Sequence, residues 1–161
     1  MKKHLLTALA LTLLAGTTQA AALTEKNLSV ADARQFADSA LAACQAKGYA
    51  VSVAVVDRAG LLKAFVRADN AGPHTIAAAE AKAFTSASAK SPTLAMMENA
   101  QKTPGAANLT DIPGFLLLGG GVPLKVGNDT IGAIGIGGAP GGHLDAQCAD
   151  EAVQANAALL K

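Results

Sequence analysis

The 161-residue sequence predicts an α+β domain in which one antiparallel β-sheet is flanked by helices. Segments with helical periodicity lie near both ends, over residues 29–47 and 144–160. Between them, apolar runs rich in β-branched residues occur in pairs around short turn sequences. Strands joined by such short turns pair antiparallel, because a parallel crossover needs a dozen or more residues.

The first helix is predicted to begin at Ser29, with Asp32 in its first turn, and to end at Gly48. Its buried face is formed by residues at helical spacing, namely Ala33, Phe36, Ala37, Ala40, Leu41 and Cys44. The stretch YAVSVAVVDRAGLLKAFVR that follows predicts a β-hairpin, because two apolar runs surround the turn residues Asp57 to Gly60.

The middle of the chain predicts a loop, RADNAGPHT, and then an alanine-rich helix, TIAAAEAKAFTSASA, that ends before Pro92. A shorter helix is expected over residues 93–101. The runs FLLLGGG, VPLKV and TIGAIGI then predict strands, with a turn at residues 127–129 between the last two. A final helix, LDAQCADEAVQANAALL, places Asp145 near its start.

The amino terminus has the order of a secretory signal peptide: Lys2, Lys3 and His4, then an apolar run, then small residues. We expect residues 1–20 to be removed, with cleavage after Ala20 or after Ala22, and residues 21–161 to form one domain. The protein is therefore expected in the periplasm or secreted. The apolar run is too short to span a bilayer comfortably, and later apolar stretches are broken by glycine, proline or charge.

Charge and composition exclude a nucleic-acid partner. Removal of residues 1–20 takes two of the thirteen basic residues and none of the twelve acidic ones, so the mature chain carries a formal charge of −1. Its charges are scattered and form no basic patch. About 140 mature residues suffice for one domain with its own hydrophobic core.

Residues 119–138, GGGVPLKVGNDTIGAIGIGG, contain eight glycines in twenty positions. A dinucleotide fingerprint fails on spacing, since Pro140 or Leu124 occupies the position of its last glycine, and no Walker sequence exists. Glycines in strands instead allow close approach of another group. That group is either a flat ligand or a tightly packed helix.

The segment GGGVPLKVGNDTIGAIGIGGAPGGHLDAQCA resembles the signature region of the GlcG/HbpS-like heme-binding family, which is related to the carboxy-terminal domain of PduO-type proteins. The shared pattern covers Gly120, Gly121, Pro123, Gly132, Ala133, Ile134, Gly135, Asp145, Cys148 and Ala149. Upstream, VSVAVVDRAGLLKAFVRAD and AAAEAKAFTSAS resemble the family's first hairpin and the helix after it. The similarity covers essentially the whole mature chain.

The resemblance implies a profilin-like fold, assembly into a homo-oligomer and, for several members, heme binding. With the predicted export, it favours a heme carrier or sensor. The alternative is an accessory subunit or a small-molecule enzyme of the GlcG type without heme. No catalytic arrangement is recognisable: a nucleophile elbow is absent, and Glu80 and Asp145 are more simply a surface charge and a helix cap.

Heme iron is usually held by His, Cys, Met or Tyr. His74, just before a predicted helix, is the preferred iron ligand, and His143 in a Gly-Gly-His loop is the second candidate. Arg67 and Lys82 are candidates for binding the propionates, and Gly120 and Gly121 for lining a flat slot. The simpler alternatives are a capping or solvent-facing histidine and solvated basic side chains. The remaining candidate ligands are Tyr49, Met96, Met97, Cys44 and Cys148. The tyrosine and the two methionines are more simply packing residues.

The mature chain has two cysteines, and export exposes them to an oxidising compartment. We therefore predict a disulfide between Cys44 and Cys148. Two separate buried thiols are the alternative, because free cysteine is often buried.

Overall fold

The computed structural model describes residues 22–161, and the predicted signal peptide lies outside the described residues. The described part contains five α-helices: α1 (Val30–Gln45), α2 (His74–Ala89), α3 (Thr93–Lys102), α4 (Pro104–Ala107) and α5 (Gly142–Ala155). It contains four strands: β1 (Ser52–Asp57), β2 (Leu62–Arg67), β3 (Gly121–Val126) and β4 (Asp129–Gly137). Short 3-10 helices cover Asn108–Asp111 and Ala157–Leu159. Within residues 22–161, no helix is long and apolar enough to cross a membrane.

The four strands form one antiparallel sheet in the order β2-β1-β4-β3. Two hairpins, β1–β2 and β3–β4, are joined through their inner strands. Asp57 shapes the first hairpin turn, since its carboxylate accepts hydrogen bonds from the backbone N–H groups of Ala59 and Leu61. The predicted α+β fold with a central antiparallel sheet is therefore confirmed.

Helices cover both faces of the sheet. On one face, α1 and α5 enclose the larger core, which includes Phe36, Val53, Val55, Leu124, Ile134 and Ile136. On the other face, α2 packs against β1, β3 and β4, and the buried residues there are small: Ala54, Val56, Ala79, Ala83, Ala87 and Ala133. Side chains alternate between the two faces along each strand, as a pleated sheet requires.

The glycines of β4 allow α2 to lie directly on the sheet. A Cβ on Gly135 would overlap the carbonyl oxygen of Ala79 and would lie 2.9 Å from the Cβ of Ala83. A Cβ on Gly137 would lie 3.1 Å from the Cβ of Ala78. Of the two explanations for these glycines, close helix packing therefore holds for Gly135 and Gly137.

The structure confirms the first hairpin and helices α1, α2, α3 and α5, and it corrects the prediction for FLLLGGG. Residues 115–120 are irregular, and a strand begins only at Gly121. There, side-chain hydroxyls bind backbone groups that a neighbouring strand would otherwise bind. Thr85 Oγ1 accepts from Leu116 N, and Thr93 Oγ1 donates to Leu118 O. The short helix α4 and the 3-10 helix after it were not predicted.

The predicted disulfide is confirmed. Cys44 of α1 and Cys148 of α5 are bonded, with their Cα atoms 5.4 Å apart, and both residues are fully buried in the larger core. The bond joins positions 104 residues apart. It ties the first helix of the domain to the last one.

We expect native protein to show no alkylatable thiol until it is reduced. In the chain-entropy model, a disulfide that closes a loop of this length stabilises by about 4–5 kcal/mol, because it restricts the unfolded chain. The Cys44→Ala/Cys148→Ala variant should lose stability on that scale in urea unfolding. Intact-mass measurement of denatured, alkylated protein checks the bond, and two alkylated thiols without reductant would contradict it.

Candidate functional site

A buried ion pair links α2 to α5. The Lys82 ammonium lies 2.8 Å from Asp145 Oδ2 and also donates to the carbonyl oxygen of Ile136 at 2.9 Å. The second carboxylate oxygen, Oδ1, accepts from the backbone N–H of Ala139. Both side chains are almost fully buried. The pair therefore joins two helices that pack on opposite faces of the sheet and also fixes the loop between β4 and α5.

Gly120 makes room for this pair, and Gly121 makes room for the backbone of α2 at Lys82. A Cβ on Gly120 would lie 2.8 Å from the Cβ of Asp145 and 3.0 Å from the Lys82 ammonium, and its φ of +124° also favours glycine. A Cβ on Gly121 would overlap the Lys82 carbonyl oxygen and crowd Thr93. The structure thus brings together Lys82, Gly120 and Gly121, which are three of the predicted site residues. They meet at the buried carboxylate of Asp145.

This arrangement changes the description of Lys82 and Asp145. A solvated lysine and a helix-capping aspartate were the simpler expectations, and neither describes these buried side chains. Burial raises the pKa of Asp145, although the hydrogen bond and the charge of Lys82 oppose the shift. Contact between Lys82 and a propionate stays a prediction, and it requires the pair to open.

The two histidines occupy similar places in the fold. His74 is the first residue of α2 rather than a loop residue before it, and His143 is the second residue of α5. Both side chains are exposed. Each imidazole packs against the glycine two positions earlier: a Cβ on Gly72 or on Gly141 would lie 2.8 Å from the ring's Cε1. Both are accessible candidate ligands.

The loop before His74 is held by short-range contacts. The Arg67 guanidinium donates to the carbonyl oxygen of Ala71. Thr75 Oγ1 donates to the carbonyl oxygen of Gly72 and lies 2.7 Å from Ser52 Oγ. Arg67 is otherwise exposed at the end of β2. These contacts set where α2 begins and therefore where His74 lies.

Cys44 and Cys148 are excluded as ligands of an iron, because they are bonded to each other and fully buried. The other three candidate ligands are half-buried. Tyr49 packs against the larger core, and Met96 and Met97 lie on α3. Within residues 22–161, no three His, Cys, Asp or Glu side chains come together as a metal site.

An open cavity of about 420 Å³ lies between β2 and α2. Its walls are mostly apolar: Val56, Gly60, Leu62, Ala77, Glu80, Ala81, Phe84, Pro113 and Gly114. The volume falls within the range of about 300–1,000 Å³ that is typical of ligand sites. The sequence analysis missed this cavity. Ala77 and Ala81 were a signal for it, because small side chains on a helix face away from the sheet leave space at the surface.

His74 lies one helical turn before the rim of this cavity. Residues three apart on a helix are neighbours on its surface, so His74 precedes Ala77 on the same face of α2. Leu62 and Phe65 of β2 are partly exposed nearby in the sheet, because α2 packs against the other three strands. An accessible imidazole and an apolar cavity therefore share one surface of the molecule.

Comparison with known proteins is consistent with this description. A family model described as "Haem degrading protein HbpS-like" matches residues 28–154, nearly the whole described domain. The chain belongs to the HbpS-like family. The family resemblance seen in the signature segment is thus confirmed. A search of curated proteins found no significant match.

Solved structures support the family assignment. A crystal structure of HbpS is 37% identical over 83% of this chain and 93% of that chain, with a TM-score of 0.78. A double mutant of HbpS from Streptomyces reticuli is 35% identical over 92% of this chain and 98% of that chain, with the same TM-score. A complex of PduOC with heme is 26% identical over 80% and 94%, with a TM-score of 0.71.

We expect Lys82→Met to lower the free energy of unfolding by about 3–5 kcal/mol, because it leaves the Asp145 carboxylate buried without its partner. Adding Asp145→Leu should recover part of the loss. Lys47→Met is the matched control, since Lys47 pairs with Glu151 at the surface and should cost less than about 1 kcal/mol. Urea unfolding measures all three.

The loss caused by Lys82→Met should depend on pH. Burial already raises the pKa of Asp145, and removing Lys82 raises it further. The folded variant then binds this proton more tightly than the unfolded chain does. Its deficit in the free energy of unfolding should be full above the raised pKa and should shrink as the pH falls through that pKa. A deficit that does not change with pH would contradict this assignment.

Proposed function

We propose that this HbpS-like protein binds heme after export and acts as a carrier or sensor. The observation that carries the proposal is the apolar cavity between β2 and α2, one helical turn from the exposed imidazole of His74. Support also comes from a relative whose solved structure is a heme complex and from the heme-related description of the family. Bound heme would supply an iron centre that a protein side chain can ligate.

The residues around the cavity fit a flat and largely apolar molecule. Leu62, Phe84 and Pro113 offer apolar walls, and the small residues Ala77 and Ala81 leave the helix surface open. Burial of apolar area supplies most of the affinity in such a site. The cavity is open to solvent, so that a molecule larger than its volume can extend out of it.

His74 is the proposed iron ligand. At the first position of α2 the helix dipole favours negative charge, which suits nearby propionates. The exposed Arg67 at the end of β2 is the proposed propionate partner, because a guanidinium binds carboxylates through two parallel hydrogen bonds. Lys82 is the second proposed partner and is engaged with Asp145 in this structure.

His143 is the second candidate ligand. It is also exposed, at the start of α5, but the neighbouring Gly119 and Gly142 are packed against each other. The proposed lining residues Gly120 and Gly121 are occupied by contacts with Lys82, Asp145 and Thr93. The His143 side therefore offers less room for a macrocycle than the cavity beside α2.

Export is part of this proposal and rests on the predicted signal peptide over residues 1–20. The Cys44–Cys148 disulfide supports it, because such bonds persist in oxidising compartments such as the periplasm and the extracellular space. The proposed location is therefore the periplasm or the medium.

A heme-degrading enzyme is the second candidate function, and the description of the family model favours it. The accessory-subunit alternative without heme stays open beside it. The three differ in one observable: a carrier or sensor keeps the Soret absorption of bound heme under ascorbate and oxygen, a degrading enzyme loses it, and an accessory subunit never shows it.

We expect mature protein to take up hemin with a saturable Soret shift. His74→Ala should change the Soret position and raise the dissociation constant by at least about tenfold, the factor that corresponds to 1.4 kcal/mol of lost coordination. His143→Ala is the matched control, since it removes another exposed imidazole at a helix start. Absorption titration and transfer of heme to apomyoglobin measure affinity and loss rate.

The same titration can contradict the proposal. No saturable shift with wild-type protein excludes heme binding. If only His143→Ala changes the Soret band, the ligand assignments are reversed. If neither variant changes it, the iron ligand is another side chain, with Tyr49 and Met96 the next to replace.

We also propose a homo-oligomer. The exposed apolar side chains of β2 and α2, including Leu62, Phe65 and Ile76, support this proposal, because a single chain leaves them partly in water. Light scattering of mature protein at micromolar concentration should give at least the mass of a dimer. Phe65→Glu should shift the mass toward the monomer, and a monomeric wild type would contradict the proposal.

A further inference from the structure

One carboxylate lies in the wall of an otherwise apolar cavity. Of the described residues that line the cavity between β2 and α2, Glu80 alone has an ionisable side chain. It lies one turn beyond Ala77 and next to Ala81 on the exposed surface of α2. The cavity therefore combines apolar walls with a single negative charge.

No cation neutralises this carboxylate within residues 22–161. The ion pairs in that part of the chain involve Asp57, Asp145, Glu25 and Glu151 but not Glu80. The basic residue closest in sequence, Lys82, is turned into the protein toward Asp145. The negative charge of Glu80 is thus free to act on whatever enters the cavity.

We propose that Glu80 determines the specificity and orientation of the ligand. The cavity takes the uncharged edge of a flat apolar molecule and repels a carboxylate or sulfonate at the same position. For heme, whose binding rests on the proposed function, the edge without propionates would be the one that enters the cavity. The propionates then point out of the cavity, away from Glu80.

The size of the effect follows from Coulomb's law at a partly exposed site. Two like charges a few ångströms apart repel there, and solvent and salt reduce the repulsion. We expect a change in affinity of about five- to tenfold for an anionic probe, comparable to the larger effects of exposed charge pairs. A neutral probe of the same shape should be unaffected.

Two dyes provide that comparison without heme. N-phenyl-1-naphthylamine is neutral, and 8-anilino-1-naphthalenesulfonate has the same rings with one sulfonate. We expect wild-type protein to bind the neutral dye more tightly. Glu80→Gln should tighten binding of the sulfonate about five- to tenfold at low salt and should leave the neutral dye within about twofold.

Glu98→Gln is the matched control. Glu98 is an exposed glutamate on α3 and does not line this cavity, so its replacement removes the same charge elsewhere. It should change neither affinity by more than about twofold. The gain from Glu80→Gln should also decrease in 1 M salt, because screening weakens the repulsion that the substitution removes.

Cavity-filling variants show where the dyes bind. Ala81→Trp should abolish binding of both, and Ala77→Phe provides the same test if the larger side chain prevents folding, as judged by circular dichroism. Three results would each overturn the proposal: no binding of the neutral dye, equal sulfonate affinities for wild type and Glu80→Gln, or undiminished dye binding in a folded filled variant.

The dye experiment tests the assignment of Glu80 and the heme titration tests heme binding, so either proposal can be wrong while the other stands. If hemin does not bind but the dyes distinguish Glu80→Gln from wild type, the heme proposal is wrong and the assignment of Glu80 stands. If hemin binds with His74 as ligand but the dyes show no charge effect, heme binding stands and the assignment of Glu80 is wrong.

Discussion

The ion pair between Lys82 and Asp145 is the constraint on which much of this fold depends. Two charged groups are tolerated in the interior only when their hydrogen-bonding capacity is satisfied, and here both carboxylate oxygens are used, while the ammonium also binds the carbonyl of Ile136. Satisfying the pair requires glycine at position 120, a fixed loop after β4, and helices on opposite faces of the sheet.

Close packing of α2 on the glycines of β4 has a consequence for the surface. Because α2 lies over β1, β3 and β4, the same face of β2 is left without a helix above it. The space between that strand and the outer surface of α2 becomes the apolar cavity. The glycines thus contribute to a ligand site indirectly, by determining where the helix lies, rather than by lining the site themselves.

The two ends of the domain are held by different interactions. The Cys44–Cys148 bond joins α5 to α1 inside the larger core, and the Lys82–Asp145 pair joins α5 to α2. Helix α5 is therefore tied to both helical layers, whereas the outer face of α2 and the edge strand β2 carry few such ties. A rigid scaffold beside an open apolar surface is a common arrangement for binding sites.

Local sequence signals were enough to predict most elements and the antiparallel pairing, because periodicity, turn residues and caps act over a few neighbouring positions. The family followed from the resemblance of the signature segment, and the cysteine pair from predicted export and the presence of two cysteines in the mature chain. Local signals failed for residues 115–120, where hydroxyls from distant helices satisfy the backbone, and for Lys82, whose partner lies 63 positions away. They singled out His74 as a candidate ligand but did not reveal the cavity one turn beyond it. A cavity is the space left between segments that are remote in sequence, so only the packing of α2 against the sheet decided its position and placed Glu80 in its wall.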